Sequence, residues 1–315
     1  MIEHKTKLYI CELHNVESHA GQLDFGNGLK LKQLAWQLVR RIDRATRRFP
    51  GRWEGRKPWF LVNEHLANGS LWVDGDPSGA LRAFKITLAL YFGERVLFGP
   101  DAHVSKQLQR YTIGPIVYRG GQLSQIAPVC KPHEFTITQD DVTHLRTLFE
   151  HVVRGFKARL VRVAIERFIT ASRSVAVPSD TIIDQSIALE ALYLEKNDRK
   201  KQKPLAKRGA TFSGVNSANR EQIYLNLRCF YQARNSVIHE GEEHPIIVLK
   251  GGVSKGCVEL RDWCFQYLRD VIRKLLGDNK YLQMEKRCFI QQLDKTAKQW
   301  ASDFACIDGQ FFFDP

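Results

Sequence analysis

The sequence predicts an α+β chain in two parts: an N-terminal module mixing strands and helix over residues 1–135, then an all-helical domain over residues 136–315. Three observations carry this division. Up to about residue 130, short apolar runs alternate with Gly, Pro and Asn, the punctuation of strands and turns. From Thr138 onward, apolar residues recur at helical spacing. Between the two stretches stand Pro128 and Pro132, which place the boundary near residues 130–138. A chain of 315 residues suits two domains of ordinary size, each able to bury a core without staples.

In the first part, β-like runs are expected at 7–13, 59–63, 70–73 and 111–118, with one amphipathic helix at 29–49. The segment 80–98 is apolar enough for a helix or a strand pair. In the second part, Thr138 with Asp141 three residues on resembles a capping box and opens a long helix at 140–172, with Pro178 beyond its end. Further helices are expected at 180–195, at 219–240 and from 258 to 300, the last broken at Gly277-Asp278-Asn279.

Composition narrows the function classes. Lys and Arg number 47 against 34 Asp and Glu, a net charge of +13 that points to a polyanionic partner, nucleic acid first among them. No apolar run reaches the length of a membrane span. The N-terminus MIEHKTKLYICELHNVE carries charge where a secretory signal needs an apolar segment, so a cytoplasmic protein is expected. The 7 cysteines are scattered and never spaced Cys-x-x-Cys, which argues against disulfides and zinc motifs. His14/His19 and His239/His244 lack further ligands nearby in sequence, so no metal and no cofactor are expected. Phosphate-binding and dinucleotide-binding glycine motifs are absent, as is Gly-x-Ser-x-Gly.

The informative segment is 219–241, NREQIYLNLRCFYQARNSVIHEG. Arg228, Gln232, Asn235 and His239 fall at spacings of 4, 3 and 4, a narrow polar stripe on an otherwise apolar helix. Gly241 suits the left-handed residue that ends a helix, which puts His239 in the last turn, where an imidazole can serve as acid or base. Such a stripe alone reads as a solvated face. Arg234 departs from it, falling on the apolar side with Ile223, Leu227, Phe230 and Ile238. A charge there must snorkel or be held by a carboxylate. Glu190 is likewise a charge on an apolar face, with Ile183, Ile187 and Leu194, so a Glu190–Arg234 contact across two helices is expected. A structural ion pair and a catalytic one both fit that contact.

Arg234-Asn235-x-x-x-His239 matches the R-x4–6-H motif of HEPN domains. Taken in order, IIDQSIALEALYLEKN, LAKRGATFSG and LRCFYQARNSVIHEG resemble the Apea-like branch of that superfamily over about residues 140–290. The resemblance implies a helical bundle that dimerises and brings two motifs into one composite site, and often a metal-independent endoribonuclease of defence or toxin–antitoxin systems. It implies His239 as general acid or base, Arg234 as stabiliser of the transition-state charge and Asn235 as orienter of phosphate or histidine. Glu190 takes the family's acidic position, Arg208 its basic-loop arginine. An antitoxin or other defence protein is an implied partner, although Gly241 stands where nucleotidyltransferase-regulated toxins carry Tyr. The alternative is a non-catalytic HEPN module that binds RNA or a nucleotide.

Two basic segments complete the reading. Residues 196–208, KNDRKKQKPLAKR, are expected as a loop in which Lys200, Lys201, Lys203, Lys207 and Arg208 track a phosphate backbone or simply stay solvated. Arg228 joins them as an RNA contact. On the expected N-terminal helix, Arg40, Arg44, Arg47 and Arg48 share one face, marking the module as an RNA-recruiting or sensing element.

Overall fold

The structure, a computed structural model, describes residues 7–13, 16–18, 20–25, 29–34, 59–65, 77–93, 98–107, 110–115, 135–172, 178–241, 243–249 and 252–300. Its architecture is α+β, and the chain divides into two compact units, Met1–Val153 and Arg154–Pro315. The division falls within a helix, later than the 135/136 boundary suggested by the prolines.

The first unit is built on a six-stranded sheet. Its strands are β1 (Lys7–Leu13), β3 (Gln22–Asp24), β4 (Leu29–Gln33), β5 (Trp59–His65), β6 (Phe98–Gln107) and β7 (Arg110–Pro115), joined by a short β2 (Val16–Glu17) that lies outside the sheet. The order is β3-β4-β5-β1-β6-β7, and every neighbouring pair is antiparallel. β1 sits inside the sheet, with Lys7 opposite His65 on β5 and opposite Ser105 on β6. A helix, α1 (Pro77–Phe92), packs on β1 and β5 and resolves the ambiguity of segment 80–98 in favour of helix. Phe84 on α1 is fully buried, with its ring 4.5 Å from Phe25 and 5.6 Å from Phe149. Each such large apolar side chain contributes roughly 1.5–3 kcal/mol on burial.

Residues 29–33 correct the expected N-terminal helix. LKLKQ alternates buried Leu29 and Leu31 with half-buried Lys30 and Lys32, a period of two, and it pairs with β3 and β5 as a strand. The remainder of that expected helix, with Arg40, Arg44, Arg47 and Arg48, lies outside the described residues, as does the run at 70–73. β8 (Phe135–Thr136) pairs with β2 in parallel, and α2 (Gln139–Lys157) follows at once. Asp141 caps α2 by accepting from the backbone N–H and the hydroxyl of Thr138, both at 2.8 Å, and from the Tyr91 hydroxyl at 2.9 Å. Burial pushes the Asp141 carboxyl up, but these donors outweigh it and hold the group below its ordinary value.

Among its described residues, the second unit is helical apart from one small hairpin. It contains α3 (Arg159–Ala171), α4 (Pro178–Tyr193), α5 (Gln202–Ser213), α6 (Ser217–Glu240), the hairpin of β9 (Ile246–Val248) and β10 (Ser254–Gly256), α7 (Cys257–Gly277), α8 (Asn279–Leu282) and α9 (Lys286–Gln299). α4 packs against α3, α5, α6 and α7, which makes it the centre of the unit. The expected single helix over 140–172 is two helices broken at Ala158, whose backbone is extended. The apolar stripe explains the break. It runs Val142, Leu145, Phe149, Val152, Phe156 along α2, and continuing its phase would bury Val163 and Arg167. Both are exposed, and the break instead turns Val161, Ala164, Ile165 and Phe168 inward.

Pro178 opens α4 rather than merely closing the helix before it, as its fixed φ and missing N–H allow. α6 begins with Asn216 accepting from the Asn219 N–H at 2.8 Å and ends at Gly241, left-handed at φ 74°. Between α4, α5 and α7 lies a buried tyrosine pair. Tyr193 and Tyr267 join hydroxyls at 3.0 Å, and the Tyr267 hydroxyl donates to the Gly209 carbonyl at 2.9 Å. A Cβ at Gly209 would come 2.5 Å from Leu227 Cδ1 and 2.8 Å from the Tyr267 hydroxyl. Gly209→Ala is therefore expected to destabilise the protein by about 1–3 kcal/mol through overpacking. A melting temperature equal to wild type would show that α5 can shift without cost.

Candidate active site

The segment 219–241 folds as most of α6, whose inner side is lined by Ile223, Leu227 and Phe230. Arg234 lies on this helix with its side chain 21% exposed, and the expected partner is present: its Nη2 stands 3.5 Å from Glu190 Oε1 on α4. The guanidinium is held by three groups. Glu190 takes Nη2, Asn235 Oδ1 accepts from Nη1 at 3.2 Å, and the Tyr231 ring lies beneath, its centroid 5.3 Å from Cζ. The Nε is buried and has no hydrogen-bond partner among the described residues.

Glu190 is the hub of this cluster. Its Oε1 also accepts from the Tyr231 hydroxyl at 2.9 Å, and its Oε2 lies 3.4 Å from Lys201 Nζ. Its backbone carbonyl accepts from Lys286 Nζ at 3.4 Å. Burial first, then the bond to Glu190 and its charge, push the Tyr231 phenol up to about 12, so it stays protonated and donates. Burial pulls the Lys286 ammonium below its ordinary value against the opposing pull of Glu195, Asp198 and Glu190. Tyr231 and Lys286 were not singled out from the sequence. Tyr231 carried a usable signal, one turn before Arg234 on the same face; Lys286 is distant in sequence and carried none.

His239 occupies the last turn of α6, exposed, where the helix carbonyls gather. On a helix of 3.6 residues per turn it sits about 140° around from Arg234, with Asn235 between them at about 100° from one and 40° from the other. His244, the other histidine near the helix end, pairs with Glu240 at 2.5 Å. Arg234, Asn235 and His239 thus form one polar arc at the end of α6. Two other expectations for this helix are corrected: Arg228, on the expected polar stripe, is buried with its guanidinium 5.6 Å over the Tyr224 ring, and Ile238, expected on the apolar side, is 43% exposed.

The basic segment 196–208 is only half a loop, because residues from Gln202 onward form α5. Lys200 and Lys201 are exposed, with Lys201 on Glu190; Lys203 and Lys207 are half-buried on α5. Arg208 corrects the sequence reading. It is 6% exposed and uses all five of its N–H donors inside the protein. Nε and Nη2 clamp the Asp294 carboxylate at 2.7 and 2.9 Å, Nη1 and Nη2 bond Asp198 at 2.5 and 3.2 Å, and Nη1 also donates to the Tyr193 carbonyl at 2.8 Å. Nothing of it is left for RNA. Arg228 is similarly withdrawn from the surface.

Among the described residues, no group of three or more His, Cys, Asp and Glu side chains is placed to hold a metal ion. Nor is any helix of those residues long and apolar enough to cross a membrane. Compared with protein-family models, curated proteins and solved structures, the chain matches none.

Arg208 ties α5 to α9 and to the loop after α4, so its loss is structural. Arg208→Ala strands two carboxylates and is expected to cost about 3 kcal/mol, the low end for a broken buried pair because Asp294 is half in water. Burial alone would raise the Asp198 carboxyl, but Arg208, the Glu195 N–H and Lys286 hold it below its ordinary value. The stability it contributes is complete above the usual carboxylate pKa of about 4 and is lost as pH falls through its lower folded value. Acid unfolding followed by circular dichroism should show that loss in wild type and a shallower one in Arg208→Ala. Equal acid limbs would remove Asp198 from the account.

Proposed function

We propose that the protein is a metal-independent endoribonuclease of the HEPN type that cleaves RNA at the Arg234–Asn235–His239 arc. One observation carries the reading. Arg208, clamped by two carboxylates, spends every donor on the fold, whereas Arg234 is fixed in place with donors to spare on the same helix end as an exposed histidine. A guanidinium oriented but not saturated is what a phosphoryl oxygen can use. The resemblance of the three ordered segments to Apea-like HEPN domains supports the same assignment.

In this reading the ribose 2′-oxygen attacks the adjacent phosphorus and the bond to the 5′-oxygen breaks. His239 takes the 2′-OH proton or supplies one to the leaving oxygen. Arg234 stabilises the charge gathering on the phosphoryl oxygens, and Asn235 orients the phosphate. The products are a 2′,3′-cyclic phosphate, or the 3′-phosphate from its hydrolysis, and a 5′-hydroxyl. Lys200 and Lys201, next to Glu190, would supply salt-sensitive backbone affinity, with Lys203 and Lys207 further along α5. Two copies of the chain would form the composite site in the cytoplasm, within a defence or growth-arrest system that pairs it with an antitoxin or other partner protein.

The test is cleavage of single-stranded RNA in EDTA by purified wild type, Arg234→Ala and His239→Ala. Wild type should cut, and each variant should lose roughly 10²–10⁴-fold in rate while keeping its melting temperature. Cleavage that needs added Mg²⁺ would refute the mechanism. Binding without cleavage would replace it with the RNA-binding module, and equal cutting by wild type and variants would expose a contaminant.

A further inference from the structure

We propose that Tyr231 is a positioning residue for Arg234, acting through Glu190; the inference rests on the ribonuclease reading above. Tyr231 is 4% exposed and lies one turn before Arg234 on α6. It meets the guanidinium twice. Its ring lies under Cζ at 5.3 Å, and its hydroxyl donates at 2.9 Å to the same Glu190 oxygen that faces Arg234 Nη2 at 3.5 Å. A buried hydroxyl needs an acceptor, and this one has chosen the carboxylate on which the arginine depends.

The consequence is orientational. With the phenol on Oε1 and Lys201 Nζ at 3.4 Å from Oε2, the two carboxylate oxygens have different partners, and the phenol above all opposes a swing that would clamp Arg234 with both of them. Glu190 therefore meets Arg234 with one oxygen, at Nη2, and with Asn235 on Nη1 one N–H of each Nη is left for a phosphate. Without the phenol hydroxyl, Oε1 is released, and the carboxylate and guanidinium are free to close on each other. Substrate affinity from Lys200 and Lys201 would survive, but the group that stabilises the transition state would be misplaced, so the loss falls on kcat rather than KM.

Tyr231→Phe keeps the ring and the packing and removes only the donor. With a mixed-sequence single-stranded RNA in EDTA, this variant is expected to lose about tenfold in kcat, the scale of one hydrogen bond to a charged group, with KM within about twofold of wild type. In a Glu190→Ala background the same substitution should change kcat by less than about twofold, because the route to Arg234 is already cut. The Arg234 Nε–Hε resonance in a ¹⁵N-arginine-labelled sample, sharp in wild type, should broaden in Tyr231→Phe. An equal loss in both backgrounds, or an unchanged kcat with an unchanged resonance, would overturn the inference. Should wild type cut RNA no better than Arg234→Ala or His239→Ala, the ribonuclease reading falls, and the arginine resonance still decides whether Tyr231 positions Arg234.

Discussion

The geometry around Arg234 depends on one carboxylate. Glu190 lies on α4, the helix that touches four others, and its two oxygens and its carbonyl gather Tyr231, Arg234, Lys201 and Lys286. The pair with Arg234 is about one-fifth exposed on each side, so its attraction is worth several kcal/mol gross and is largely offset by the cost of taking both charges out of water. Such a pair does little for net stability but is costly to break from one side. Its value lies in geometry: it fixes a cation where the helix would otherwise carry an apolar residue, and the surrounding helices must pack so as to keep it there.

The contrast with Arg208 shows how the same side chain takes opposite roles. Two carboxylates and a carbonyl match the five donors of Arg208, and burial removes it from any ligand. Together with the buried Tyr193–Tyr267 hydroxyl pair, it forms a satisfied polar framework joining α4, α5, α7 and α9. A fully satisfied network of this kind rigidifies the elements it joins. The Arg208 clamp and the Glu190 cluster adjoin at the end of α4, through Tyr193 on one side and Glu190 on the other, so the framework holds the helix that holds the site.

How legible this was differs residue by residue. β1 was readable to the residue because its β-prone run LYIC is short and flanked by polar residues, and α6 because an apolar stripe and Gly241 define it. β4 was not, because LKLKQ is only five residues long and merges into a following stretch with helical spacing. The Ala158 break left no mark in composition, since it arises from where the apolar stripe must point next. The Glu190–Arg234 contact was visible because two charges on apolar faces demand one another. The spacing of Tyr231 put it on the face of Arg234, but a tyrosine on an apolar face satisfies the pattern without revealing where its hydroxyl goes. The fate of Arg208 depends on Asp294, 86 residues away, and nothing local to either residue announces the pairing.

The end of α6 then determines what the site can present. Gly241 stops the helix in a left-handed turn two residues after His239, which keeps the imidazole in the last turn, among unsatisfied carbonyls and in solvent. A helix one turn longer would cover it. The arc from Arg234 through Asn235 to His239 spans about 140° of the helix, too wide for one flat face. Asn235 bridges that arc by accepting from Arg234 on one side and lying one turn from His239 on the other. A substrate touching all three must therefore curve around the helix end, or meet the arginine and the histidine from different copies of it. Either geometry suits a flexible single strand better than a stiff duplex, and this physical reason favours unpaired RNA as the substrate of the proposed activity.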